Sequence, residues 1–263
     1  MAVLVVFNVK NLSEFETRTK GGEEVYKYFL SFLSLYDRKK ASLLHDEPDI
    51  NSFSCSPIIT SKKPQGGKII FKEGEKFKFE IGLLTEEIKN WFEESLKVVL
   101  QKEDASVSFD GKIFKFIGLK IKKSFDLEDV KRIIKSRDFT KICITFKSPC
   151  VLKNREIISP FPEPEKVLKS ILRRWDKFLP YEIGLLEEVF SKVMVERYKL
   201  KTEILAFKKF KLIGFVGEVC YNLRKIAKED RVKIALLFEY GTYSGVGYKV
   251  SMGMGKIDIK GYY

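Results

Sequence analysis

One side chain in this sequence titrates near neutral pH. His45 is the single histidine among 263 residues, and a histidine in a polar segment suits transfer of a proton to or from a reacting group. Tyr28 and Tyr36 lie upstream on a segment predicted to be one helix, where they would flank the same cleft; packing in the core is the competing role for each, and a solvated surface position is the competing role for His45. A second group is basic. Lys166, Lys169, Arg173, Arg174 and Lys177 surround Trp175, a mixture that suits a phosphate backbone with base stacking, although the tryptophan itself is expected in the core.

A third group lies near the C-terminus. Residues 237–259 hold Gly241, Gly245, Gly247, Gly253 and Gly255, with Lys249, Lys256 and three tyrosines between them. Glycine lets backbone amides approach an anion closely and lysine adds a point charge. The segment is therefore expected to lay phosphates against main chain, with a plain glycine-rich hairpin as the alternative. The familiar nucleotide motifs fail on spacing. A P-loop needs Ser or Thr after Gly-Lys, and Gly255-Lys256 is followed by Ile257; a dinucleotide fingerprint needs a third glycine where Val250 stands. No nucleophile elbow is present, and the acidic residues lie singly or in helical pairs without metal-site spacing.

The elements that must position these groups read as follows. Residues 2–9 are a strand and 23–39 an amphipathic helix, with His45 in the polar turn beyond it. Strands follow at 53–60, 68–71 and 76–83, then a helix over 86–100 capped by Thr85, then strands over 105–122 around the turn Asp110-Gly111. That order is β-α-β-β-α-β, the ferredoxin-like pattern. It recurs: a strand at 141–146 with an edge at 151–158, a helix opened by Pro164, a helical stretch at 182–192, strands at 193–207 and 210–221, a helix from 224 to 239, and a closing strand at 255–259. The fold class is thus α+β, two tandem ferredoxin-like domains over 1–122 and 138–263, joined near 121–137.

Charge separates the halves. Residues 1–120 hold 19 Lys+Arg and 18 Asp+Glu, whereas residues 121–263 hold 30 and 18, together the +13 of the whole chain. A basic second half points to a polyanion, nucleic acid before an anionic membrane surface; a charged, heat-adapted surface is the plainer account. No apolar run approaches a membrane span. Cys55, Cys143, Cys150 and Cys220 form no Cys-x-x-Cys pair and are expected to be buried thiols of a reducing compartment, the cytoplasm.

Three stretches then share one pattern. Leu44-His45-Asp46 is followed by Phe53-Ser54-Cys55-Ser56-Pro57. Phe146-Lys147-Ser148-Pro149 is followed by Phe161-Pro162-Glu163-Pro164, Ile171-Leu172-Arg173-Arg174-Trp175 and Gly214-Phe215-Val216-Gly217. The end of the chain carries Gly245-Val246-Gly247-Tyr248-Lys249 and Met252-Gly253-Met254-Gly255. In this order they resemble the repeat-specific endoribonucleases of CRISPR systems, which cut precursor CRISPR RNA into guide RNAs. The resemblance implies tandem domains like RNA-recognition motifs and matches His45 to the family's frequent catalytic histidine. Members often pair that histidine with a tyrosine or lysine; Tyr36 and Tyr28 are candidates here, with Ser42 and Lys40 behind them. It implies repeat RNA as partner, held by Lys249, Arg173, Arg174, Lys166 and the backbone at Gly245, Gly247, Gly253 and Gly255. It leaves association with other CRISPR effector subunits, or with a second copy, open.

The residue inventory offers no metal site or cofactor, so the expected cut uses the RNA 2′-hydroxyl as nucleophile and leaves a 2′,3′-cyclic phosphate and a 5′-hydroxyl. His45 would supply one proton transfer, preferably as the acid. A repeat-RNA-binding protein that does not cut, and an RNA-docked structural subunit of a larger ribonucleoprotein, are the competing functions.

Overall fold

The computed structural model describes residues 2–18, 20–46, 51–154, 157–207 and 210–263. The first half contains, in chain order, β1 (Ala2–Asn11), β2 (Phe15–Arg18), α1 (Gly22–Leu33), α2 (Arg38–Asp46), β3 (Phe53–Cys55), β4 (Lys68–Phe71), β5 (Lys76–Leu83), α3 (Glu86–Gln101), β6 (Ser106–Phe109) and β7 (Lys112–Phe125). Its main sheet runs β3-β5-β1-β7-β6, all antiparallel, and β2 pairs with β4 in a small second sheet. α4 (Leu127–Lys135) leads into the second half, with β8 (Lys141–Cys150), β9 (Leu152–Asn154), β10 (Ile157–Ser159), α5 (Pro164–Phe178), β11 (Met194–Ala206), β12 (Lys211–Asn222), α6 (Lys228–Ser244) and β13 (Ile257–Tyr262). The second sheet runs β11-β12-β8-β13. The second sheet places its strands in the order second, third, first, fourth, and the first sheet repeats that order with the β6–β7 hairpin in the fourth place, so the two tandem ferredoxin-like domains are present. No helix among the described residues is long and apolar enough to cross a membrane.

The near-continuous apolar run that opens the chain reflects a strand buried on both faces. Val3, Val5, Phe7 and Val9 point into the first core, where Phe7 lies within 5.1–6.4 Å of six other aromatic rings. Ala2 and Leu4 point the other way and join Leu84 and Phe125 in the second core. α6 meets them there. It is buried nearly all round, from Ile234 to Phe238 and again from Tyr240 to Ser244, as a helix clamped between two layers must be. One helix of the second domain thus packs on both sheets and fixes the domains against each other.

Several sequence expectations need revision. The helix expected over 23–39 ends at Leu33, and α2 follows; Asp37 starts it by accepting a 2.9 Å bond from the Lys40 amide. His45 therefore sits in the last helical turn of α2, not in a turn beyond a helix. The linker region holds α4, capped by Asp126 on the Asp129 amide at 2.9 Å. The helical stretch expected over 182–192 shrinks to a 3₁₀ turn at Glu187–Lys192. Two of the four cysteines are not thiols: Cys143 and Cys220 face each other across β8 and β12 and form a disulfide, a pairing set by strand register. Cys55 and Cys150 are buried free thiols.

Candidate functional site

The glycine-rich segment lies at the seam of the domains, and the amides of Gly245, Gly247 and Gly255 are already bonded. Val246 N–H donates to Gly255 O at 2.9 Å, Gly247 N–H to Ser170 Oγ at 2.7 Å, Tyr248 N–H to Val151 O at 2.9 Å, and Gly255 N–H to Pro149 O at 2.9 Å. The glycines serve close packing. A Cβ on Gly255, at φ 63°, would stand 1.7 Å from Val246 O, and one on Gly253, at φ 83°, would stand 2.7 Å from the Gly22 Cα in the other domain. Gly245, whose amide donates to Gly241 O at 2.9 Å, ends α6. The anion cradle expected of Gly245, Gly247 and Gly255 is therefore replaced by a folded plug.

That plug is tied to the first domain by polar contacts. Ser54 Oγ donates to Tyr243 O, and Asn51 Nδ2 donates to Ser251 Oγ at 3.1 Å. Lys256, only 4% exposed, donates to Thr242 O at 2.8 Å and lies 3.4 Å from Glu80, which also takes Lys122 at 2.6 Å. Burial pushes the Lys256 ammonium down to about 8 against the pull of Glu80. Burial raises Glu80, but the ammonium groups of Lys256 and Lys122 more than reverse that and hold its carboxyl below the usual range. One carboxylate shared by two cations explains why the acid stays charged while its buried partner is easily deprotonated.

Beside the plug a groove runs between the domains, with two connected ends that share Arg18, Lys20, Glu203, Ile204, Ala206 and Phe207. The wide end encloses about 1080 Å³ between the turn at 60–68 and the tip of the β11–β12 hairpin. It presents Arg18, Lys20, Lys62, Lys63, Lys68, Lys201 and Lys211 against one carboxylate, Glu203. Lys62, Lys68 and Lys201 are paired with Glu75, Glu16 and Glu203; Lys20, Lys63 and Lys211 are exposed and have no ion pair among the described residues. The narrow end, about 250 Å³ beneath the first turn of α1, carries Glu16, Glu23, Glu24, Asp110 and Glu203 with Arg18, Lys20 and Lys27.

The sequence candidates scatter around this seam. The His45 side chain lies outside the described residues; its backbone falls in the last turn of α2. Tyr36 is 56% exposed in the turn before α2. Tyr28 is a correction: it is 2% exposed among Phe7, Phe79 and Phe114, its hydroxyl has no partner among the described residues, and burial pushes that hydroxyl far up. A phenol sealed in a phenylalanine core cannot exchange a proton with bound RNA. Arg174 is a second correction. It is 3% exposed and donates to Gly247 O at 3.1 Å, clamping the plug to α5 instead of meeting solvent. Arg173, one residue earlier, is exposed, and Lys166 pairs with Glu163 at 2.7 Å. Lys249 takes a left-handed backbone, φ 53°, with its ammonium 5.1 Å from the rings of both Phe210 and Tyr248.

Sequence reasoning missed the groove cations and the paired rings Phe207 and Phe210. The signals were local: Lys62-Lys63-Pro64-Gln65-Gly66-Gly67-Lys68, and Phe207-Lys208-Lys209-Phe210-Lys211. Only the fold brings them to opposite walls of one groove.

Two ferredoxin-like domains locked by a glycine-rich plug, with a basic groove along the seam, define the class of fold. A family model described as CRISPR-associated endoribonuclease Cas6 matches residues 144–257, which run from β8 through the plug. The CRISPR-associated endoribonuclease Cas6 of Streptococcus thermophilus is 22% identical over 125 residues, 46% of this chain and 51% of that protein. That of Mycobacterium tuberculosis is 27% identical over 138 residues, 51% of this chain and 44% of that protein. The chain thus spans about half the length of the curated relatives it matches. Among solved structures, Cas6 of Thermus thermophilus in a product complex has a TM-score of 0.78 at 18% identity, covering 98% of this chain and 100% of that one, a likeness of fold. The second domain, from β8 through the plug, is thus similar to the Cas6 family.

Proposed function

We propose that this protein is an endoribonuclease that processes precursor CRISPR RNA by cutting within the repeats, with the RNA 2′-hydroxyl as nucleophile and without a metal ion. The observation that carries the reading is the family match over the second domain and its plug, joined to a groove whose wide end gathers seven cations against one carboxylate. Duplex is read mainly by shape, and sequence is read in single-stranded parts, so a groove open along its length suits an RNA strand.

In this reading His45 is the proton donor to the leaving 5′-oxygen and Tyr36 is the remaining tyrosine candidate beside it. The groove lysines offset charge on the phosphate. Lys249, Arg173 and Lys166 are outer RNA contacts. The partner is repeat RNA; assembly with other CRISPR subunits or with a second copy would use surfaces outside the groove.

Labelled repeat RNA incubated with the protein in EDTA tests the activity. Cleavage at one position, leaving a 2′,3′-cyclic phosphate, is the expected result, and a single 2′-deoxy nucleotide at that position should abolish cutting while binding persists. A shifted but intact band with the all-ribo substrate would instead identify a binding protein that does not cut. His45→Ala should slow single-turnover cleavage by about 100-fold or more; an unchanged rate would remove His45 from the site.

A further inference from the structure

The tip of the β11–β12 hairpin carries a feature that phosphate binding does not need. Phe207 and Phe210 close the hairpin, with Phe207 N–H donating to Phe210 O at 2.9 Å, and their rings stack at 4.8 Å and 25°. Phe207 is buried, whereas Phe210 is 39% exposed and lines the wide end of the groove beside Lys211. Lys249 sets an ammonium 5.1 Å from the Phe210 ring and 5.1 Å from Tyr248, and Lys153 sets another 5.6 Å from Tyr248. Arg18 of the first domain reaches across to Phe207 O at 3.4 Å, which seats the tip on the groove wall.

A part-exposed phenylalanine beside Lys249 and Lys211 serves no simple polyanion, since a phosphate gains nothing from an apolar ring. A nucleobase does, because every base has a π-face, and stacking on an aromatic side chain strengthens binding by about 5- to 100-fold per base. We propose that the stacked pair Phe207 and Phe210 is a nucleobase-stacking platform: Phe210, backed by Phe207, takes one unpaired base of a single-stranded RNA segment, and Lys249 and Lys211 hold the phosphates next to it. The proposal rests on the RNA reading above and adds to it a place where the chain distinguishes a base-bearing strand from a bare backbone.

Two probes separate the contributions: a single-stranded oligouridylate of about ten nucleotides, and the same sugar–phosphate backbone with abasic sites. The unaltered protein should bind the first about 5- to 100-fold more tightly than the second. Phe210→Ala should remove that preference while leaving the abasic affinity, the salt dependence and the melting temperature as they were, and Phe210→Trp should restore it. Lys211→Ala should do the reverse, weakening both probes equally and lowering the salt slope by about 0.7. Equal preference in the protein and in Phe210→Ala would overturn the platform alone. Failure of the unaltered protein to bind either probe or repeat RNA would overturn the RNA reading with it. If Phe210→Ala left RNA binding intact but dissolved a self-association seen by sedimentation, the ring would belong to a contact between copies and the platform would be wrong.

Discussion

The two ends of the interdomain groove are built from the same seam and carry opposite characters. At the wide end, lysines from the turn at 60–68 meet lysines of the β11–β12 hairpin. At the narrow end, the first turn of α1 brings Glu23 and Glu24 beside Asp110 and Glu16, and Lys27 and Lys112 are drawn off to neutralise them. Acidic residues in a first turn favour the helix dipole, so the narrow end has a structural reason for its charge and the wide end has none. Three exposed lysines held around one hollow repel each other, and a bound anion relieves that repulsion. On the proposed RNA reading, the contrast assigns the phosphate backbone to the wide end.

The strongest way to break that contrast is to remove the unpaired cations. Lys20, Lys63 and Lys211 replaced together by alanine should lower the slope of log affinity against log salt by about 2, since each single-strand phosphate contact contributes about 0.7. At about 0.1 M salt this amounts to a loss of about 100-fold in affinity for repeat RNA. Filter binding at several salt concentrations measures it, and an unchanged slope would show that the backbone runs elsewhere.

A groove between domains keeps its shape only while the domains hold their relative position, and Lys256 is part of that lock. Its folded pKa, about 8, lies below the ordinary lysine value of 10.5. Between those values the unfolded chain binds a proton that the folded chain does not, so stability rises with pH across that window, by about 2–3 kcal/mol for this one group. Lys256→Met removes the term while Glu80 keeps Lys122 at 2.6 Å. The melting temperature of the unaltered protein should therefore gain on that of the variant, by several degrees, between pH 7.5 and pH 10. Parallel curves would show that Lys256 is not held in the buried state described.

Much of this was open to sequence reasoning where one period or one cap decides the structure. Thr85 sets the start of α3, and Phe77, Phe79 and Ile81 set β5, because burial of one face follows directly from alternation. α2 was missed because Arg38-Lys39-Lys40 hides its weak apolar face, although Asp37 carried a cap signal. The disulfide depends on strand register between residues 77 positions apart, which no local pattern states. The glycines were legible as close-approach residues, but what approaches them is other main chain, not an anion. Arg174 and Tyr28 show the same limit in side chains: neighbours in sequence, Arg173 and Arg174, end on opposite sides of the protein surface. The groove itself was invisible, because its walls come from two basic runs that only the paired domains bring together.

The narrow end supplies the smallest and most discriminating test. Burial raises the Glu24 carboxyl above its ordinary range, against the opposing pull of Lys112 at 3.7 Å. The folded chain therefore keeps a proton that the unfolded chain has released, and this contribution to stability is full below the ordinary carboxylate value and lost as pH rises through the raised one. Glu24→Gln cannot lose it. The variant should gain on the unaltered protein between pH 4 and pH 7, a difference that thermal melts at matched salt resolve. Its affinity for repeat RNA should change by less than about 3-fold, and in the favourable direction, because a backbone in the wide end feels Glu24 only through screened charge. A tenfold loss of affinity would mean that Glu24 touches the RNA, and the two ends of the groove would then form one continuous track.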